Sequence, residues 1–221
     1  MSMTVAQLTQ YVLSLVDDEQ AAYFNANDTF TWFNLAQRQV QLELLNAGQN
    51  YYMIPVETYT VPGQADYLLP SDFITEHRLE VVVSGTGTQE NRQPLSPITT
   101  NQQDLVSIVQ GTPTNYILKK DRFTVSPTPD QAYLMRLYYS PLIQDLVSTT
   151  SVPDVPGQFV EYVALLAAYN CYIKDDRAPD QLVAKINSFK QLLEQVDNDR
   201  TQDLPRQVVI TDPLDGQGSW F

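Results

Sequence analysis

The segment from residue 111 to residue 142 constrains the fold most, because it encodes short β-strands separated by turn residues. Residues 116–118 and 123–125 flank the polar turn 119–122, which predicts a β-hairpin. Two prolines then interrupt the chain, since proline cannot donate to a β-ladder. The aromatic and aliphatic stretch that ends at Tyr139 is suited to a further strand. Such a segment builds a surface rather than a reaction centre.

The larger stretch from residue 51 to residue 145 has the period of β-strands and is predicted to form one inserted β domain. Gly85 and Gly87 lie in a predicted hairpin loop, because this stretch lacks the third glycine and the helix of a dinucleotide-binding fingerprint. Residues 94–100 are predicted to form a loop, and residues 102–109 a short helix.

Helices are predicted on both sides of this β region. Thr4 and Gln7 have the spacing of a capping box at the start of the first helix. A second helix is predicted from Asp28, as its N-cap, to Ala47, with Gly48 as the stop signal. This helix is apolar around most of its girth, so partners must cover more than one side. Those partners are other helices of the same chain or neighbouring copies in an assembly.

Helical periodicity returns at Gly157 and continues, after a turn at residues 175–177, into a helix with Pro179 in its first turn. That last helix carries the sharpest periodic signal of the chain, an apolar stripe formed by Leu182, Ile186, Phe189, Leu193 and Val196. The stripe predicts burial against the helix of residues 157–173, with an intersubunit seam as the alternative.

These patterns together predict an α+β fold. We expect an antiparallel helical bundle formed by both chain ends, an inserted antiparallel β domain and an extended C-terminal tail. The predicted divisions are residues 1–50 for the N-terminal helices, 51–145 for the β domain, 146–197 for the C-terminal helical hairpin and 198–221 for the tail.

The tail is acidic and contains prolines, so it is predicted to be extended and to act as a docking peptide. Its apolar side chains are the candidate docking residues: Val208, Val209, Ile210, Trp220 and Phe221. A frayed terminus is the alternative interpretation.

The chain has 26 acidic and 13 basic residues and a formal net charge of −13, which gives no electrostatic basis for gripping duplex DNA. Like charge repels phosphate, so the chain could line a passage through which DNA moves without sticking; simple solubility is the alternative. No run of about 18 apolar residues is present, and the N-terminus lacks the basic start of a secretory signal. We therefore expect a soluble protein made in a cytoplasm.

Catalytic motifs are missing from the sequence: there is no phosphate-binding glycine loop with lysine, no HExxH and no GxSxG. Cys171 is interpreted as a buried apolar residue, and His77 as a structural or surface histidine. Asp66, Asp72 and Glu76 could supply a carboxylate pair for glycoside hydrolysis, although acidic residues are ordinary near turns. We expect no enzyme activity, no catalytic residues, no metal site and no cofactor.

The tightest basic cluster consists of Lys119, Lys120 and Arg122 at the tip of the predicted hairpin. Three cations on a turn usually form a solvated edge. Contact with a nucleic acid or a neighbouring protein is the functional alternative.

The chain resembles the head-to-tail adaptor (connector) proteins of tailed bacteriophages. The resemblance is carried by segment 111–142, by residues 67–73 and 78–81, and by the order of a helical pair followed by a polar tail. These include adaptors of short-tailed and crAss-like phages. The resemblance covers about residues 28–196 and rests on diffuse structural motifs.

The resemblance implies a structural virion protein at the head–tail junction. Such a protein forms a ring of twelve copies beneath the portal protein, extends the channel through which DNA is ejected and receives tail or nozzle proteins. It implies contact with DNA that has no sequence specificity. Another phage tail or baseplate component is the alternative function, and a carbohydrate-acting hydrolase ranks below both.

Overall fold

The structure is a computed structural model that describes residues 3–18, 26–48, 50–85, 87–99, 110–174 and 179–201. Within these ranges the side chains of residues 26–27, 88 and 194–201 are not described. The described part is a mixed α+β structure of four α-helices and two β-sheets, so the predicted fold class is confirmed. The helices are α1 (Val5–Leu15), α2 (Ala26–Asn46), α3 (Val160–Lys174) and α4 (Asp180–Thr201).

Helix α1 begins with the predicted capping box. The Thr4 side chain accepts from the Gln7 backbone, and the Gln7 side chain accepts from the Thr4 backbone N–H at 2.9 Å. Leu8 and Val12, which lie four residues apart on one face of this helix, are fully buried.

Helix α2 begins two residues before Asp28, so the assignment of Asp28 as its N-cap is wrong. Asp28 lies in the first turn instead, where its charge still complements the helix dipole and where it pairs with Lys174 at 2.8 Å. Alanine at position 26 favours the earlier start, since it is the strongest helix former. The chain leaves the helix at Gly48, whose φ of 66° is accessible to glycine at little cost.

Helix α3 occupies the centre of the helical core. It packs against α1, α2 and α4, and its buried residues surround the helix on all sides, as expected for a helix that is apolar around its girth. Small side chains at Ala164, Ala167 and Ala168 let the neighbouring helices approach closely.

The apolar stripe of α4 packs on this core. Leu182, Ile186 and Leu193 are buried, and Phe189 stacks on Tyr162 of α3 with ring centroids 5.3 Å apart. The predicted burial of the stripe is confirmed for Leu182, Ile186 and Leu193, whereas Phe189 is half-buried and contacts α3 through its stacking on Tyr162. The side chain of Val196 lies outside the described part.

The described residues of the β region form eight strands in two four-stranded sheets. Sheet 1 has the order β1-β8-β3-β4, and sheet 2 the order β2-β7-β6-β5. The strands are β1 (Ile54–Tyr59), β2 (Asp66–Leu68), β3 (Phe73–Ser84), β4 (Asn91–Pro94), β5 (Ser96–Pro97), β6 (Asn115–Leu118), β7 (Arg122–Ser126) and β8 (Leu134–Pro141). The inner faces of the two sheets share a second cluster of buried apolar side chains, separate from the helical core.

Three details differ from the sequence predictions. Strands β5 and β6 pair in parallel, whereas every other pair is antiparallel, so the prediction of a purely antiparallel domain is wrong at that edge. Strand β5 also lies within residues 94–100, which were predicted to be a loop. Helix α4 continues to Thr201, past the predicted tail boundary, because no proline or glycine interrupts the sequence before Pro205.

The hairpin of β6 and β7 and the following strand β8 confirm the predictions made from segment 111–142. The predicted helix at 102–109 and the predicted turn at 175–177 lie outside the described residues. Among the helices that the structure describes, none combines the length and apolarity needed to cross a membrane.

Candidate functional site

A group of exposed apolar side chains lies on strand β1, which is one edge of sheet 1, and in the residues on either side of it. All six residues of this strand are exposed. Seven of the sixteen exposed large apolar side chains of the described residues lie between residues 51 and 68. We name these seven the β1 edge: Tyr51, Met53, Ile54, Val56, Tyr59, Val61 and Leu68. An apolar edge strand is a template for pairing with another chain.

The backbone of β1 offers free hydrogen-bonding groups on its outer side. The Thr60 N–H donates to the Tyr133 carbonyl at 2.8 Å, and the register of β1 with β8 is continuous. Because successive residues of an antiparallel strand point their N–H and C=O groups to alternate sides, the backbones of Pro55, Glu57 and Tyr59 point away from β8. Within the described part of the chain, β1 pairs only with β8, so the outward N–H groups of Glu57 and Tyr59 have no partner strand. Proline at position 55 fits this outer side, where proline is tolerated in sheets.

An apolar cleft of about 480 Å³ opens between the two sheets beside the β1 edge. Val56 and Thr58 of β1 form one side, and Tyr67 and Leu68 of β2 form the other. Leu68 is 73% exposed although it borders an apolar cleft. The cleft is therefore suited to apolar side chains brought by another segment.

The opposite face of sheet 1 carries an ion-pair network centred on Arg136. Arg136 donates to Glu57 at 2.7 Å and to Glu90 at 2.9 Å, and lies 3.6 Å from Glu80. Arg92 pairs with Glu90 at 2.8 Å, and two more side chains, Arg78 and Tyr138, contact Glu80. Hydrogen bonds from Arg136 hold the pKa of Glu90 below its usual value, and hydrogen bonds to Glu90 and Glu57 raise the pKa of Arg136. The network ties β1, β3, β4 and β8 together.

A row of amide side chains on α2 binds the segment that leaves β8. Asn34 both donates to and accepts from the backbone of Leu146, at 3.2 and 2.7 Å. Gln37 and Gln41, both fully buried, donate to carbonyl oxygens of segment 141–146 at 2.9 and 2.7 Å. These bonds attach the end of the β region to the helical core.

Two faces of α2 are covered differently. Phe33, Val40 and Leu44 are buried in the helical core, whereas Leu35 and Leu42 remain 52% and 51% exposed. Because Leu35 and Leu42 are seven residues apart, they lie on the same side of the helix. This chain therefore covers the side of α2 that carries Phe33, Val40 and Leu44, and leaves the side that carries Leu35 and Leu42 exposed.

The basic hairpin tip is placed as predicted, between β6 and β7. The Lys119 N–H donates to the Arg122 carbonyl at 2.8 Å and closes the turn. Arg122 pairs with Asp121 at 3.0 Å, which raises the pKa of Arg122 and lowers that of Asp121. Lys119 lies 3.9 Å from Asp66. Lys120 is exposed on the same turn.

Two of the three carboxylates considered for glycoside hydrolysis have structural partners. Asp66 on β2 accepts a hydrogen bond from Thr124 on β7, and Asp72 accepts one from Tyr139 at 3.1 Å. Glu76 lies on β3, in the sheet to which Asp66 does not belong.

His77 and Cys171 are placed as the sequence predicted. His77 is exposed, and its Nε2 lies 2.7 Å from the Oγ of buried Ser140. Cys171 is fully buried, and burial raises the pKa of its thiol to about 12. Among the residues that the structure describes, no three His, Cys, Asp or Glu side chains are grouped so as to hold a metal ion.

The five candidate docking residues of the tail, Val208, Val209, Ile210, Trp220 and Phe221, lie outside the described residues. The β1 edge, the Arg136 network and the amide row were all missed by sequence reasoning. The sequence did contain a pattern that indicates the network, because Glu57, Glu80 and Arg136 alternate with apolar residues within predicted strands. It also contained one for the amide row, because Asn34, Gln37 and Gln41 have the spacing of one helix face.

The chain matches the family described as SU10 adaptor protein over residues 3–211. Because this match covers nearly the whole chain, the protein belongs to that family. The predicted resemblance to phage adaptors is confirmed, and the chain is assigned to the class of phage structural adaptor proteins. No curated protein matches the chain.

Proposed function

We propose that this protein is a head-to-tail adaptor that forms a ring beneath the portal protein of a tailed phage. The ring extends the DNA channel and provides the attachment site for tail or nozzle proteins. The observation that carries the proposal is membership of an adaptor family across residues 3–211. Twelve copies, location at the head–tail junction of the virion and a role in genome ejection are parts of the same proposal. The role is structural rather than enzymatic.

The division of the chain that we propose follows the two buried clusters. Helices from residues 1–50 and 146–201 form one antiparallel bundle, and residues 51–145 form the inserted β domain. Support comes from the contacts of α3 with α1, α2 and α4, and from the separate cluster between the sheets. Residues 202–221, which follow the end of α4, form the docking tail of this proposal.

Uncovered apolar surfaces support assembly into a ring. The exposed pair Leu35 and Leu42 on α2 and the β1 edge lie on different parts of the chain. Two unlike apolar surfaces suit a head-to-tail contact, in which one surface of each copy meets a different surface of the next. Such contacts form closed rings when the rotation between copies closes.

The channel role is supported by charge. A net charge of −13 repels phosphate, so DNA can pass through a ring of such chains without sequence-specific binding. Lys119, Lys120 and Arg122 at the hairpin tip are proposed to contact a tail protein or the passing DNA.

The tail is proposed to attach the adaptor to the portal or to a neighbouring copy through Val208, Val209, Ile210, Trp220 and Phe221. Apolar anchors on a polar, proline-containing segment are typical of docking peptides, which gain order when they bind.

Electron microscopy of purified virions, combined with mass spectrometry, tests this proposal. We expect this chain to occupy a ring between the portal and the tail. Placement in the tail or baseplate alone would contradict the adaptor role and favour the alternative of another tail component.

A further inference from the structure

The β1 edge has the three properties of a site that accepts an added strand. It is apolar, its outer backbone has donors that no described residue accepts from, and it borders an open apolar cleft. We propose that this edge receives residues 206–212 of a second copy of the chain, which pair with β1 as a fifth strand of sheet 1. This inference rests on the ring proposed above and names the surface that the first part of the tail contacts.

The receiving backbone is short and well defined. The outer side of β1 can form a ladder with a strand of about five residues. Its donors are the N–H groups of Glu57 and Tyr59, and its acceptors are the carbonyl oxygens of these two residues and of Pro55. Proline at 55 removes the next outward donor. The ladder therefore ends there.

The donor segment has a matching length and pattern. It contains seven residues between Pro205 and Pro213, and prolines at both ends limit the strand to that stretch. Three consecutive β-branched residues at its centre, 208–210, favour extended backbone. Side chains of a strand alternate between its two faces, so Val208 and Ile210 point the same way.

The cleft has room for those two side chains. In the added strand, Val208 and Ile210 lie on the face that β1 presents with Val56, toward the cleft of about 480 Å³ and the exposed Leu68. Their burial removes apolar surface from water on both copies.

The opposite edge of sheet 1 fits the donor poorly. Strand β4 presents Asn91, Arg92 and Gln93 and has no apolar side chain among the exposed large ones of the described residues. An apolar strand therefore matches β1 rather than β4.

A second copy is the occupant because of reach and symmetry. Helix α4 ends at Thr201, and the seven residues from there to Val208 span at most about 25 Å when extended. In the proposed ring, that length is available for the segment to cross from the helical part of one copy to the next copy. In a closed ring each copy then donates one segment and receives another. Trp220 and Phe221 remain beyond the added strand and are free to contact the portal.

The test is disulfide trapping in rings assembled on portal. The variant carries Tyr59→Cys and Val209→Cys, two positions that the added strand places on the same face. The matched control carries Gln93→Cys and Val209→Cys, with the new cysteine on the β4 edge. The natural Cys171 is fully buried and stays in both chains. After mild oxidation, we expect the 59–209 pair to give a ladder of covalent multimers, at least tenfold more than the 93–209 pair.

Equal yields for the two pairs, or a cross-linked monomer without multimers, would overturn the inference. Hydrogen exchange of the unmodified chain gives a second readout. We expect the amides of Glu57 and Tyr59 to exchange at least tenfold more slowly in the ring than in the free chain, and unchanged rates would also overturn it. Co-sedimentation of the unmodified chain with portal separates the two proposals. Rings without the cross-link leave the adaptor function intact, whereas a chain that does not bind portal contradicts that function.

Discussion

Two adjacent leucines on α4 give a direct test of how the last helix packs. Leu193 is 4% exposed and belongs to the helical core, whereas its neighbour Leu192 is 41% exposed. Truncation to alanine removes the same atoms at both positions. The difference between the two variants therefore reports the packing of the helix, since helix propensity changes equally.

We expect Leu193→Ala to lower the free energy of unfolding by about 2–4 kcal/mol, the range for a buried leucine that leaves a partly collapsed cavity. Leu192→Ala should cost less than about 1 kcal/mol, because that side chain keeps much of its contact with water in the folded chain. For a chain of this size, a loss of 3 kcal/mol lowers Tm by about 6–12 °C.

The measurement is urea denaturation of the unassembled chain, followed by far-UV circular dichroism, with both variants and the parent at one protein concentration. Similar midpoints for the two variants, or a larger loss for Leu192→Ala, would refute the packing of the α4 stripe against α3.

Three further outcomes follow from the contacts described above. Gln41→Ala should lower the free energy of unfolding, measured by urea denaturation, by about 1–3 kcal/mol, because it leaves backbone groups of segment 141–146 unpaired. The control Gln39→Ala, at an exposed position, should change it by less than about 0.5 kcal/mol. Equal losses for the two variants would contradict the amide row. Arg136→Met should weaken the acid dependence of stability. The lowered pKa of Glu90 adds stability that is present above the ordinary pKa of 4.5 and is lost as the pH falls below that value. A dependence of Tm on pH that is the same in the variant and the parent would contradict the network. Burial raises the pKa of five tyrosines above 10.0, so their stabilising effect is complete below pH 10 and is lost as the pH rises further: Tyr52, Tyr67, Tyr116, Tyr139 and Tyr162. Absorbance at 295 nm should show these tyrosines ionising at a higher pH in the folded chain than in the unfolded chain. Full ionisation near pH 10 in the folded chain would contradict their burial.

Local signals predicted much of the helical and strand content. The capping box at Thr4, the stripe at Leu182, Ile186 and Leu193, and the hairpin around residues 119–122 each depend on neighbours in the sequence, so the sequence alone is enough to recognise them. The misplaced N-cap at Asp28 has the same origin. An acidic residue favours both the N-cap and the first turn, and sequence cannot separate the two.

Long-range features could not be predicted in the same way. The parallel pairing of β5 with β6 depends on how the chain returns to sheet 2 after strand β4. The pairing of Arg136 with Glu57 and Glu80 depends on the register of three strands that are distant in the sequence. The exposure of β1 follows only from its position at an edge, since its sequence resembles that of a strand with one buried face.

Light scattering of purified adaptor mixed with portal tests the central claim most directly. The loss of translational and rotational freedom opposes assembly in the absence of a template, so we expect the free chain to be monomeric at 25.0 kDa. With portal present, we expect a complex whose mass exceeds that of the portal by about 300 kDa, the mass of twelve copies. A chain that lacks residues 202–221 should keep its Tm but should not add mass to the portal. Persistent monomer beside a functional portal would contradict the adaptor function.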